Sequence, residues 1–357
     1  MTDSRKSLHI GIAGAGLAGR TLAWRLLRAG CRVSLFDARR RDDLATASMT
    51  AAAMLSPLAE LAVSDETVFA LGQRSMQLWP KWIDELAEGA SEPVYFRQAG
   101  TLVVAHAQDH PSLEHFTRLL HHKLPQACQA QVQTLNAQTL AQREPALAGR
   151  FHGGLYLEGE GQLANDQWMA ALALEIDRLG VRWYEGHAVD RVEPQRMVCA
   201  SENYPVDVAV DARGLGSKAQ LPQLRGVRGE VLRVACPGMT LQRPVRLMHP
   251  RYQLYVAPRP NYEFVVGATE LESEDAGPVT VRSVLELASA LHSLHPAFGE
   301  ARVLRMSAAL RPALDDHRPV VVWRDGVWHI NGLYRHGYLC APALVDELVH
   351  KLLELQA

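Results

Sequence analysis

At 357 residues the chain exceeds what one hydrophobic core usually fills, roughly 250–300 residues, so one large or two interleaved domains are expected. Hydrophobic residues at 48% and charged residues at 21% describe an ordinary globular, enzyme-sized protein. A formal charge of −2 argues against a general nucleic-acid binder, and no apolar run is long enough to span a bilayer, so neither nucleic acid nor membrane is an expected partner.

A short polar lead (Met1–Ser7) runs into an apolar, strand-like stretch from Leu8 to Ala13. Gly14-x-Gly16-x-x-Gly19 follows it directly, and Leu17, Thr21, Trp24, Leu27 and Arg28 then keep helical spacing up to Gly30. A second β-like run, Cys31–Phe36, ends in Asp37, 18 residues beyond Gly19. Each part has a physical task. Gly14 allows a tight turn, Gly16 lets the backbone approach a pyrophosphate, and Gly19 lets the helix pack close to the strand. The N–H groups and positive dipole at the helix start can hold a diphosphate. Asp37 can accept hydrogen bonds from adenosine ribose hydroxyls. Strand, helix, second strand and acid in this order predict an adenine dinucleotide site, and leave FAD or NAD open. Arg39-Arg40-Arg41 suits the adenosine end or solvent better than DNA, and Asp37 would repel a 2′-phosphate.

Leu44 to Leu61 is rich in small residues, which suits close packing against something flat or, equally, a plain Ala-rich helix. Val68 to Leu86 has helical spacing with Trp79 and Trp82 in its core stripe. From Val94 the texture turns to β, with Gly100–Ala105 the clearest strand. The histidine-rich stretch from Pro111 to Lys123 reads as a solvated helix, since its spacing matches no zinc motif. A strand near Gly153–Tyr156, a helix from Asp166 to Leu179 and a strand at Val181–Glu185 follow. Val206–Asp211 then ends in a second glycine turn, Ala212-Arg213-Gly214-Leu215-Gly216. Gly226 to Thr269 alternates like an antiparallel sheet, including Tyr252–Ala257 and Phe264–Thr269. Val281–Leu294 reads as a helix, Val303–Arg311 as a strand, Val320–Trp323 and Val327–Ile330 as strands, and Ala341–Leu355 as a final helix. Five scattered cysteines with no C-x-x-C predict a reducing, cytoplasmic setting and no metal site.

Several segments, taken together, carry a resemblance. They are Ala47-Ser48 with Ala51–Leu55, Val189 after Gly186-His187-Ala188, Asp211–Gly216, Gly226–Glu230, Tyr255–Arg259, Gly267–Glu270, Leu310-Arg311-Pro312 and Asn331–Tyr338. Over nearly its full length the chain resembles the D-amino-acid oxidase superfamily, and within it the glycine oxidases of bacterial thiamin biosynthesis. The resemblance implies an α/β fold: an FAD-binding Rossmann-type domain (glutathione-reductase-like) interleaved with an α+β substrate domain built on an antiparallel sheet. The expected cofactor segments are 1–85, 151–222 and 304–357, and the substrate segments 86–150 and 223–303.

By the same resemblance FAD would contact Gly14, Gly16, Leu17, Ala18, Gly19, Asp37, Ala38, Arg39, Ser48, Ala53, Met54, Val189, Ala212, Gly214, Gly332, Arg335, His336, Gly337, Tyr338 and Leu339. The family often has glycine where this chain has Ala53. Arg311, Tyr255, Arg335 and Glu270 would form the substrate face. A free amino acid needs its carboxylate fixed, and a planar guanidinium does so through two parallel charge-assisted hydrogen bonds. Arg311 follows an apolar stretch and precedes Pro312, an unusual place for a solvated charge, with a structural ion pair as the other reading. Tyr255 could bond the carboxylate or be core, Arg335 could face the substrate or be structural, and Glu270 occupies a position at which relatives vary. His336 is not expected to act as a base. The resemblance implies oxidative deamination of glycine or a similar small amino acid by hydride transfer to flavin N5, with O2 as oxidant, peroxide as product and no catalytic acid–base residue. The stretch Ser307–Pro312 lacks cysteine, so the FAD is expected to be non-covalent, and the family favours a homo-oligomer. An oxidase or dehydrogenase of another amine, and a non-catalytic FAD-binding subunit, stay open.

Overall fold

The computed structural model describes residues 7–89, 92–249 and 253–355; most of the polar lead and the expected strand start at Tyr252 lie outside them. The first strand, His9–Ala13, is buried because parallel partners flank it, Arg32–Asp37 on one side and Val208–Asp211 on the other. Arg182–Glu185 extends this sheet beyond Arg32–Asp37, and Val327–Asn331 extends it beyond Val208–Asp211. Val320–Arg324 closes it as an antiparallel sixth strand.

Helices Leu17–Arg28, Glu66–Ala87, Asn165–Arg178 and Gly337–Glu354 contribute to one large core with this sheet. At its centre Trp24 stands edge-on to Trp82 and Trp168, each at 5.9 Å, and Trp168 meets Trp79 at 4.8 Å. On the other side a three-stranded antiparallel sheet (Arg191–Glu193, Arg196–Cys199, Glu202–Pro205) packs through Val192, Met197 and Cys199 against Ala13, Phe36 and Ala209.

A second, eight-stranded sheet runs in the order Arg302–Ala313, Arg225–Ala235, Glu263–Gly267, Gln253–Pro258, Val245–Met248, Thr101–Ala105, Gly153–Leu157, Val132–Asn136. Its pairs are antiparallel except Val245–Met248 with Thr101–Ala105. Helix Val281–Leu294 covers it through Leu287, Leu291 and Leu294. Two of its strands, Gly153–Leu157 and Arg302–Ala313, come from stretches expected on the cofactor side or at its boundary. A small sheet of Met54–Leu55, Gly161–Leu163 and Phe96–Arg97 joins the two halves.

Two local expectations need correction. The small-residue stretch is not one plain helix: it is a one-turn helix, Ala47–Thr50, then extended chain into Met54–Leu55, then the short helix Pro57–Leu61. The final helix starts at Gly337 rather than Ala341, and Pro342 lies inside it as its sixth residue. Pro342 has no N–H for the Tyr338 carbonyl, and the Trp79 indole N–H donates to that oxygen instead, at 3.1 Å. Among the described residues no helix is long and apolar enough to cross a membrane.

Candidate active site

A cavity of about 1280 Å³ runs between the parallel sheet and the eight-stranded sheet. That exceeds the roughly 300–1,000 Å³ usual for a single small ligand. Its walls come from segments scattered through the sequence, from Gly14 to Leu339.

One end is built on the glycine turn. Gly14 takes φ +100 and donates to the Phe36 carbonyl at 2.7 Å, and a Cβ there would sit 2.5 Å from the Ala212 carbonyl oxygen. The two glycine turns are therefore pressed together. A Cβ on Gly19 would fall 1.8 Å from the Gly14 carbonyl oxygen, so Gly19 supports the turn from behind and does not line the cavity. Gly16 differs: a Cβ there would meet nothing within 4 Å, because the space in front of it is the cavity. Helix Leu17–Arg28 starts at Gly16 with no side-chain cap, leaving its first N–H groups available to an anion.

Asp37 accepts from the Ala15 N–H at 2.6 Å and from the Arg39 N–H at 2.8 Å, at the rim of the same space. The arginine cluster is internally neutralised. Arg39 pairs with Asp43, Arg40 with Asp42, and Arg41 with both Glu185 and Asp177. Each guanidinium of the cluster therefore has a carboxylate neighbour. Arg213 links the second turn to Val189: its guanidinium grips Asp211 at 2.7 and 2.9 Å and donates to the Val189 carbonyl at 2.5 Å. Burial would raise the Asp211 carboxyl, but Arg213 and the Ser217 hydroxyl hold it below its ordinary value.

Midway, Ser48, Ala53 and Met54 line the cavity together with Gly337, Tyr338 and Leu339. Asn165 Nδ2 and the Tyr338 hydroxyl both donate to the Ser48 carbonyl at 3.0 Å, fixing the one-turn helix. Ala53 sits at φ +46, a left-handed conformation that favours glycine. Arg259, buried beside it, donates to the Ala52 carbonyl and to Gln162 Oε1. Burial pulls the Arg259 guanidinium down to about 10. Gly332, at φ +72, turns the chain behind this wall and is not part of the lining.

The other end rests on one face of the eight-stranded sheet. Arg246 pairs across strands with Tyr255, Tyr255 with Gly267, Gly267 with Val231, and Val231 with Ser307. Side chains alternate along a strand, so Ala309 and Arg311 share the face of Ser307. Two glycines hollow that face. A Cβ on Gly229 would lie 2.3 Å from the Arg311 guanidinium carbon, and one on Gly267 would lie 2.8 Å from the Tyr255 hydroxyl. Arg311 therefore lies flat over Gly229 and donates to the Thr269 carbonyl at 3.1 Å. Among the described residues no carboxylate pairs with it.

Arg335 is placed differently from a free clamp. Its Nε donates to Glu60 at 3.0 Å, one terminal nitrogen to Glu270 at 3.0 Å, and the other to the Ser64 hydroxyl at 3.2 Å. Glu60 also accepts from Arg246 at 3.3 Å and lies 3.1 Å from His336 Nδ1. Burial acts to raise the Glu60 carboxyl, but Arg335, His336 and Arg246 hold it well below the ordinary carboxylate range.

Every expected site residue except Gly19 and Gly332 lines the cavity. Sequence reasoning missed Glu60, Arg246 and the role of Gly229. The signals were a lone charge in each of two apolar runs, Leu58-Ala59-Glu60-Leu61 and Val245-Arg246-Leu247, and a glycine inside a strand.

The family model for FAD dependent oxidoreductase, DAO, matches residues 9–350. The chain belongs to the DAO family of FAD dependent oxidoreductases. This DAO chain is 39% identical over 349 residues to a Rhizobium etli protein named "Putative thiamine biosynthesis oxidoreductase ThiO", covering 98% of each chain. It is 25% identical to the glycine oxidase of Geobacillus kaustophilus, covering 96% of this chain and 93% of that one. The crystal structure of glycine oxidase from Geobacillus kaustophilus superposes with a TM-score of 0.82 at 24% identity over 97% of this chain, which is a likeness of fold. The glycine turn, the uncapped helix start and the open space at Gly16 fit the dinucleotide that the family name requires.

Proposed function

We propose that this oxidoreductase deaminates glycine or a similarly small amino acid. The net reaction is glycine with O2 and water giving glyoxylate, ammonia and hydrogen peroxide. FAD, when bound, supplies the hydride acceptor. The residues of the chain bind and orient: Gly14, Gly16 and Asp37 take the dinucleotide end, and Arg311 fixes the substrate carboxylate at the other. The observation that carries this reading is Arg311 itself. It is a half-buried guanidinium with no carboxylate partner among the described residues, held flat over Gly229 and facing the cavity. A planar guanidinium so placed can take a carboxylate through two parallel charge-assisted hydrogen bonds. Tyr255 stands on the same face, where its hydroxyl can serve the same carboxylate.

No acid–base pair is required, since orientation against the acceptor does most of the work. Among the described residues lining the cavity there is no cysteine, which supports a flavin not tethered through sulfur. Cys128, Cys199, Cys236 and Cys340 are free thiols, which suits a reducing cytoplasm. The name carried by the Rhizobium etli relative supports a place in thiamin biosynthesis. Peroxide release profiled over glycine, sarcosine and D-alanine tests the reading. At least one should be turned over with stoichiometric peroxide and 2-oxo acid, and no turnover of any of the three would overturn it.

A further inference from the structure

We propose that Glu60 sets the carboxylate count of the substrate pocket: by neutralising Arg246 and Arg335 it leaves Arg311 as the one guanidinium open to substrate, so the site selects monocarboxylates over dicarboxylates. This rests on the carboxylate-binding reading of Arg311 given above.

Three guanidiniums reach the same end of the cavity. Arg246 and Arg311 project from one face of the eight-stranded sheet, and Arg335 enters from the turn before the last helix. Left alone, they would favour a ligand with two or more negative charges. Glu60 comes from outside that sheet, on the short helix Pro57–Leu61, and divides them. One of its oxygens takes Arg246 at 3.3 Å and the other takes Arg335 at 3.0 Å. Glu270 takes a second nitrogen of Arg335 at 3.0 Å. Among the described residues Glu60 is the carboxylate paired with Arg246, whereas Arg335 has two.

Arg246 and Arg311 act on the same neighbour. Burial pushes the Tyr255 hydroxyl up, and the charges of Arg311 and Arg246 oppose that rise while Glu60 adds to it. Arg246 is the cross-strand partner of Tyr255 and lines the same cavity as Arg311, so it faces the space that a second carboxylate of a ligand anchored at Arg311 would enter. Removing the charge of Glu60 while keeping its shape releases Arg246 first.

The test uses the holoenzyme and two non-oxidisable ligands that differ by one carboxylate, methoxyacetate and diglycolate. Their binding is read from the perturbation of the flavin visible spectrum. Turnover of sarcosine and iminodiacetate, which differ in the same way, gives a second readout. The native enzyme should bind methoxyacetate at least tenfold more tightly than diglycolate. Glu60→Gln should shift that ratio at least tenfold towards diglycolate, and the sarcosine to iminodiacetate ratio of kcat/KM in the same direction. Glu60→Asp, which keeps the charge, should stay near the native ratio. A Glu60→Gln ratio within twofold of native, or Glu60→Asp behaving like Glu60→Gln, overturns the proposal. Should Glu60→Gln not fold, Glu270→Gln is the substitute: its side chain is half exposed and it releases one bond of Arg335. It should move the ratio the same way by a smaller factor, and an unchanged ratio counts against the proposal. If methoxyacetate does not perturb the native flavin, the reading of Arg311 fails as well. If it binds the native enzyme and not Arg311→Ala, with the Glu60 ratio unmoved, the role of Glu60 alone fails.

Discussion

Gly14 and Gly16 belong to one motif yet differ in what a single methyl group would do. At Gly14 the methyl would collide with the backbone of the second glycine turn, in a conformation that L side chains rarely adopt. At Gly16 it would project into open cavity. Gly14→Ala is therefore expected to cost stability, of order 1–3 kcal/mol from the strained φ alone, as well as cofactor. Gly16→Ala should keep the native melting temperature of the cofactor-free protein and lose FAD affinity at least tenfold. Calorimetry paired with fluorescence titration of FAD separates the two, and equal destabilisation by both variants would contradict this assignment. Gly229 makes a parallel case at the substrate end. Its added Cβ meets the far end of the flexible Arg311 side chain, so the chain can yield there. Gly229→Ala should fold and bind FAD but weaken glycolate binding at least tenfold. Retention of native glycolate affinity would show that Arg311 does not need its glycine bed.

Pattern exposed most of the elements but not the way they are held. The parallel strands His9–Ala13, Arg32–Asp37 and Val208–Asp211 were legible because each is an apolar run with a glycine close to one end, and the tryptophan-bearing helix Glu66–Ala87 because its apolar stripe keeps helical period. The start of the last helix was not, since Pro342 reads as a stop and the compensating Trp79 indole is 259 residues away in sequence. Glu144 shows a similar tertiary effect on a charge. It is fully buried, and both its oxygens accept from the Gln242 N–H, at 3.0 and 3.2 Å. Burial pushes its carboxyl up to about 7, against the pull of Gln242 and Arg243. Its folded pKa lies above its unfolded one, so the folded state binds this proton more tightly. Stability from this group is lost as pH rises from about 4.5 to 7. Glu144→Gln should therefore be more stable than the native protein at pH 8, by about 1–3 kcal/mol, with most of the gap gone by pH 5. Thermal melts at the two pH values check this, and a difference that does not change with pH would refute it.

Across the whole molecule the site exists only where the two large sheets meet. The cofactor end was legible because its chemistry is local, a glycine turn and an acid one strand later. Arg311 was legible because a guanidinium beside a proline at the end of an apolar strand stands out. Glu60 was not, because its meaning depends on Arg246 and Arg335, 186 and 275 residues distant, and a lone acid in a short helix carries no sign of either. The assembled pocket makes one central claim, that the substrate is held by its carboxylate at Arg311. Anaerobic mixing of the flavin-loaded protein with glycine and with glycinamide, followed by flavin absorbance, tests it most directly. Glycine should bleach the flavin at least a hundredfold faster than glycinamide, and in Arg311→Ala that difference should collapse. Equal bleaching by both amines in the native protein, or a difference that survives in Arg311→Ala, would contradict the account.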